Sequence, residues 1–236
     1  FDTREDFSLM HDLAAEQPQK LEELKALFMQ VAEENKVLPI GGGLFVPLNP
    51  QEQKRTTNTE WTLYEGMTRI PESQAPNVRN GNIRAEIEAE VPAGVNGVIF
   101  AMGGYAGGVS LYADEGDLYY EYSALLLKRD KIKVGSLPAG KVTIAYEMRT
   151  PLERAAPAEV KFWINGEEAA TGTVQRTVPL TFTASETFDV GMDTSSPVAD
   201  AYFDKAPFAF EGKLQRLHFK NLQAERPAFK RSPDDD

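Results

Sequence analysis

Between residues 82 and 91 apolar and charged positions alternate without a slip. Ile83, Ala85, Ile87, Ala89 and Val91 fall on one side, and Arg84, Glu86, Glu88 and Glu90 on the other. A period of two is the signature of a strand with one face buried. Pro92 and Gly94 end it, and three further β-type runs follow at 97–102, 109–113 and 118–122, divided by Gly103 and Gly104, Gly107 and Gly108, and Glu115 and Gly116. Short apolar runs with glycine turns between them predict an antiparallel meander over 82–122.

The strand pattern continues to the end of the chain. It recurs at 131–134, at 141–148 with Val142, Ile144, Tyr146 and Met148 on one face, at 159–164, at 167–174, at 187–192 and over 208–221. Asn165 and Gly166 separate two of these runs, and both residue types tolerate the positive φ of a type I′ hairpin turn. About ten short strands with little helix predict a mainly β fold, an antiparallel jelly-roll (concanavalin-like) β-sandwich. Ile83, Ile87, Val98, Phe100, Leu111, Tyr120, Ile144, Phe162, Ile164 and Leu217 are its expected core.

One segment breaks the period. Leu21, Leu24, Leu27, Phe28 and Val31 recur at three- and four-residue spacing behind Pro18, which suits the first turn of a helix, so an amphipathic helix is expected over Pro18–Glu34. Its apolar stripe needs a partner from the β-region or from a domain outside this chain. Ahead of it, 1–16 reads as an irregular, docked lead-in. The domain organisation expected is 1–36 as a helical lead-in, 37–81 as an irregular wrapping linker with one edge strand at 59–64, 82–222 as the β-sandwich, and 223–236 as a solvated acidic tail.

Composition narrows the chemistry. The 236 residues include no cysteine, which removes thiolate catalysis and Cys-containing metal sites. With 36 acidic against 25 basic residues the net charge is -11, so nucleic acid and anionic membranes are excluded as partners. No apolar run approaches the ~20 residues that span a bilayer. Only His11 and His218 could supply imidazole, and His218 shares a strand face with Arg216 and Lys220, as a solvent-facing residue would. The glycine-rich segment 102–108 lies between strands and lacks the following Lys and Ser/Thr of a phosphate-binding loop. No catalytic constellation emerges: the expected catalytic residues are none, and the expected metal ligands are none.

The long inter-strand loop 191–204 is the candidate binding element. It carries Asp193, Thr194, Ser195, Asp200, Tyr202 and Asp204, oxygen groups suited to a cation or to sugar hydroxyls. Asp193, Thr194, Ser195, Asp200 and Tyr202 are the expected substrate- or partner-contact residues. On this reading the loop is outward-facing, and removing Asp193 or Asp200 leaves the stability of the chain nearly unchanged.

Several of these segments resemble a known family. The stretch from Phe7 to Ala14 leading into the helix, the segment from Trp61 to Met67, Gly103 to Tyr112, Asp189 to Val198, and Phe210 to Leu214 together resemble the C-terminal region of bacterial sulfatases of the arylsulfatase family. The resemblance implies that residues 1–36 correspond to the end of a sulfatase catalytic domain. It implies that the rest is a C-terminal accessory β-sandwich of a sulfuric ester hydrolase, docking on the catalytic domain and shaping its pocket or assembly through the 193–204 loop.

The family makes a formylglycine from a Cys/Ser-x-Pro-x-Arg motif and holds a divalent cation beside it. Here Ser136 and Ser195 come nearest to that motif, but Gly140 and Ala199 stand where the Arg belongs. The resemblance therefore implies a chain without a catalytic site or cofactor of its own, with calcium in the missing catalytic domain. The implied partners are the sulfatase catalytic domain or chain and a sulfated small molecule or glycan, and the implied location is periplasmic or secreted. The alternative reading is a stand-alone carbohydrate-binding or adhesion β-sandwich, using exposed aromatics such as Tyr105, Tyr112 or Tyr119. A subunit interface is left open.

Overall fold

The computed structural model describes residues 1–35, 37, 58–151 and 153–222. The chain forms two compact units, 1–57 and 58–236. The expected tail 223–236 and most of the linker ahead of Asn58 lie outside the described residues.

In the first unit the expected helix forms as α1 (Pro18–Glu34), with Pro18 in its first turn. Ala32 is its one buried residue, while Leu24, Leu27, Phe28, Met29 and Val31 are about half exposed. The lead-in ahead of it is a series of turns, with Asp6 accepting the His11 N–H at 2.8 Å. Phe7 and Met10 are exposed.

The second unit is a sandwich of two six-stranded antiparallel sheets. The strands are β1 (Glu60–Leu63), β2 (Ile70–Pro71), β3 (Ile83–Val91), β4 (Gly97–Gly104), β5 (Gly107–Asp114) and β6 (Asp117–Ala124), followed by β7 (Lys128–Ser136), β8 (Gly140–Arg149), β9 (Ala158–Ile164), β10 (Glu167–Val174), β11 (Thr187–Val190) and β12 (Lys213–Asn221). Sheet A has the order β1-β12-β3-β8-β9-β10, and sheet B the order β2-β11-β4-β5-β6-β7. The sequence thus indicated the strands other than β2, but it grouped β3 wrongly. β3 leaves the meander and pairs with β8 and β12 in sheet A, while β4 to β7 form the meander in sheet B. Alternation fixes which side of a strand is buried, not which strand it pairs with.

The apolar side of β3 meets that of sheet B across the core. Phe162 packs between Tyr120 and Tyr146, with ring centroids 5.4 and 5.5 Å away, and Phe100 stacks on Phe188 at 5.7 Å. Buried tyrosines keep their hydroxyls bonded, as a buried polar group must. Tyr122 donates to the Arg79 carbonyl at 2.7 Å and accepts the Val178 N–H at 2.9 Å. The expected core residues are buried except Ile164, which is half-buried against the same cluster; Val98 is buried too, but in a second cluster on the far side of sheet B.

The β9–β10 hairpin turns on Asn165 (φ 52°) and Gly166 (φ 85°), the type I′ geometry that this dipeptide predicts. In the β4–β5 hairpin, Gly103 has φ 82°, and a Cβ there would collide with the Gly107 carbonyl oxygen. The glycine-rich segment is a close backbone approach between strands.

Candidate functional site

The segment between β11 and β12 does not loop into solvent. It crosses the outer face of sheet B as a strap and buries a second apolar cluster there. Val198, Ala199 and Tyr202 from the strap lie over Val98, Ala101 and Tyr112 from the sheet. Tyr202 meets Tyr112 edge-on at 5.1 Å and stacks on Phe208 at 5.3 Å. A strand covered on both faces reads as an unbroken apolar run, and all of β4 is buried.

Two carboxylates hold the strap in shape. Asp193, 1% exposed, accepts the Val198 N–H at 2.9 Å and the Tyr202 hydroxyl at 2.8 Å. Asp189 accepts the Thr194 N–H and hydroxyl at 3.0 and 2.7 Å, together with the Arg69 N–H at 2.6 Å. Burial pushes the Asp193 carboxyl up to about 6, against the pull of its two hydrogen bonds and with the negative charges of Asp189 and Glu186 adding to the rise. Burial also raises the Tyr202 hydroxyl well above its ordinary value. Beneath the strap, Glu121 is buried and pairs with Arg129 at 2.8 Å; Arg129 also donates to the Val198 and Tyr105 carbonyls.

Of the five expected contact residues, Asp193 and Tyr202 therefore face inward and serve the strap itself. Thr194 is half-buried and bonded to Asp189, and Ser195 and Asp200 stand at the surface. Asp193 is buried rather than outward-facing, and its carboxylate completes a buried hydrogen-bond set. Tyr112 is also buried, whereas Tyr105 is exposed and Tyr119 half-buried.

Contacts between distant segments tie the strap and its flanks to the sandwich. Glu65 accepts the Leu214 N–H at 2.9 Å, the Val190 N–H reaches the Met67 carbonyl at 3.0 Å, the Phe210 N–H reaches Gly191 at 2.8 Å, and the Tyr105 N–H reaches the Ser196 hydroxyl at 3.3 Å. Glu65 and Leu214, 149 positions apart in the chain, meet through the Glu65 carboxylate and a backbone N–H.

Elsewhere on the sandwich lies an open polar cleft of about 380 Å³ that the sequence did not reveal. Asn77, Asn80, Asn82, Thr150, Glu153 and Arg154 line it. Its floor is bonded: Asn82 Oδ1 accepts the Thr150 N–H at 2.7 Å, and Asn80 Nδ2 donates to the Val178 and Pro179 carbonyls at 3.0 and 3.2 Å. Glu153 and Arg154 are exposed at its rim. A second hollow of about 570 Å³ near the β9–β10 turn offers Ser136, Asn165, Glu167 and Glu168, with no cation in its lining.

The first cleft can both donate and accept hydrogen bonds through fixed amides, a carboxylate and a guanidinium. Among the described residues no group of three or more His, Asp or Glu side chains is placed to hold a metal ion. The segments around Asn80 and Glu153 carry no periodic pattern and Asn221 ends β12, so only contacts between distant segments could have pointed to the cleft.

No family model matches the sequence, and no curated protein does. Among solved structures the chain is similar to mouse laminin alpha1 domains LG4-5, at 16% identity and a TM-score of 0.46 over 72% of this chain and 42% of that one. It is likewise similar to the CBM40 domain of the Ruminococcus gnavus IT-sialidase bound to alpha2,3 sialyllactose, at 14% identity and 0.45 over 70% of this chain and 92% of that one. With the Caenorhabditis elegans galectin LEC-6 the figures are 9% identity and 0.39 over 69% of this chain and 96% of that one. The chain thus spans under half of the laminin fragment.

Proposed function

We propose that this chain is a non-catalytic β-sandwich binding module that takes a hydroxyl-rich, carbohydrate-type ligand in the cleft of Asn77, Asn80, Asn82, Thr150, Glu153 and Arg154. The observation that carries the reading is the cleft's chemistry. Sugar hydroxyls donate and accept at once, and the cleft sets amides of both kinds beside one acceptor, Glu153, and one donor, Arg154. Its volume of about 380 Å³ falls in the range of ordinary ligand sites. The scaffold beneath it is rigid, since its loops are tied to one another by the Asn80 and Asn82 hydrogen bonds.

The test is a glycan array probed with the purified chain and with the double variant Glu153→Gln, Arg154→Gln. Both side chains are exposed, so the fold should tolerate the change. Binding by the parent chain that is lost in the variant supports the reading, and binding that survives it removes the cleft as the site.

A second reading rests on the resemblance of residues 61–67, 103–112, 189–198 and 210–214 in the sequence. On it, the module is the C-terminal accessory part of an arylsulfatase-type enzyme and itself hydrolyses no sulfate ester. The deciding observation is the parent gene. A reading frame that continues upstream of Phe1 into a Cys/Ser-x-Pro-x-Arg motif supports it, and one that continues into other binding modules opposes it. The two readings are compatible if the enzyme's substrate is a glycan.

A further inference from the structure

The hairpin between β6 and β7 turns on leucine. Leu125 and Leu126 have φ 53° and 61°, and the Leu127 N–H closes the turn on the Ala124 carbonyl at 3.0 Å. Positive φ at both central positions favours Asn, Asp and Gly, because a larger side chain crowds its own backbone there. The β5–β6 and β9–β10 hairpins keep to that preference, with Gly116 and Gly166 at the second position. Here two leucines occupy the strained positions instead.

Nothing within the sandwich offsets that strain by burying them. Leu125, Leu126 and Leu127 are 43%, 65% and 71% exposed. Leu125 leans on the β4–β5 hairpin, where a Cβ on Gly107 would meet its side chain at 2.8 Å. In that same hairpin the exposed Tyr105 meets the exposed ring of Phe203 edge-on at 5.4 Å. Five exposed apolar side chains thus gather at one end of sheet B, around a tip without charge. Lys128 follows the tip directly, with its side chain half exposed. These residues line neither the cleft nor the hollow at the β9–β10 turn.

We propose that the Leu125–Leu127 tip is a membrane-insertion element, which enters a zwitterionic lipid surface of the phosphatidylcholine type. Successive side chains of a tight turn point in different directions, so a groove in a folded partner would cover part of the tip and leave the rest in water. Hydrocarbon surrounds a tip on every side. The depth required is small, since the boundary between headgroups and acyl chains lies roughly 5–10 Å in. Tyr105 at the base suits the headgroup level, with an apolar ring and a wet hydroxyl. The stem of Lys128 lies along apolar surface while its ammonium reaches a lipid phosphate. The net charge of -11 opposes an anionic surface, and a neutral tip does not depend on one.

The chain has no cysteine, so Leu126→Cys carries a polarity-sensitive fluorophore at a single place. The experiment titrates this labelled full chain with phosphatidylcholine vesicles, beside a chain labelled through Glu167→Cys in the β9–β10 hairpin. A saturable blue shift at position 126 and none at position 167 is the expected result. In co-sedimentation of unlabelled protein with the same vesicles, Leu125→Asn combined with Leu126→Gly should lower the bound fraction about tenfold or more, since each buried leucine contributes strongly to partition. That variant suits the turn, so it should melt no earlier than the parent chain.

No shift at position 126, or equal shifts at both positions, would overturn the proposal. So would vesicle binding that the Asn-Gly variant leaves intact, as binding through α1 would, or binding confined to vesicles that contain phosphatidylserine. A blue shift produced by concentrating the chain without lipid would assign the tip to a second copy instead. The tip shares no residue with the cleft, so the glycan array bears on the cleft alone.

Discussion

The hydroxyl of Tyr202 donates to Oδ2 of Asp193 across 2.8 Å, inside a strap that covers the outer face of sheet B. The same oxygen accepts the Val198 N–H. These bonds turn a run of Asp, Thr, Ser and Pro residues into a buried lid on the sheet.

Asp193→Ala should therefore destabilise the chain at pH 4 by about 1 to 3 kcal/mol, the cost of leaving buried donors without a partner. Asp200→Ala, at an exposed position, should change stability by less than about 0.5 kcal/mol. Urea unfolding of both variants checks the contrast, and equal effects would remove the special role given to Asp193.

The pH dependence follows from the same group. Burial raises the folded-state value of Asp193 from an ordinary 3.8 to about 6, so the folded chain binds this proton more tightly than the unfolded one. Its contribution to stability is fully present below about 3.8 and is lost as pH rises towards 6. Asp193→Asn, which cannot ionise, removes this dependence. The stability of the parent chain relative to Asp193→Asn should fall by about 2 to 3 kcal/mol between pH 4 and pH 7. A difference that stays flat across that window would contradict the assignment.

Arg129→Met should be costly, because it leaves the carboxylate of Glu121, which is 2% exposed, without its cation. A loss of about 3 to 5 kcal/mol is expected. Arg129→Met combined with Glu121→Gln should recover part of it, and a double-mutant cycle by chemical denaturation measures how much.

Phe162→Ala should cost about 3 to 5 kcal/mol, since the ring is fully buried between Tyr120 and Tyr146. Calorimetry should show the sandwich melting earlier, with no change in the far-ultraviolet signal of the folded state.

Local periodicity explains what was legible in the sequence. The alternation over β3 and the helical spacing after Pro18 each report a single chain direction meeting a single buried side, and both elements formed where the pattern placed them. The Asn165 and Gly166 turn was equally readable, because its φ requirements fall on two adjacent residues. The sandwich class followed from the number and spacing of such runs.

Pairing, desolvation and sites were decided by the tertiary structure. β3 carries the same pattern whether it neighbours β4 or, as it does, β8 and β12, because alternation holds no record of a partner 50 or 130 residues away. Asp193 and Tyr202 look solvated in the sequence, and they are buried only because the strap lies on sheet B, whose apolar outer patch comes from Val98, Ala101 and Tyr112. The Asn80 cleft draws on segments far apart in the chain. The sequence by itself thus determined the elements and the fold class, since these depend on neighbours within a few residues. Which faces are covered and which remain open for a ligand depends on long-range packing, and only the folded chain brings those residues together.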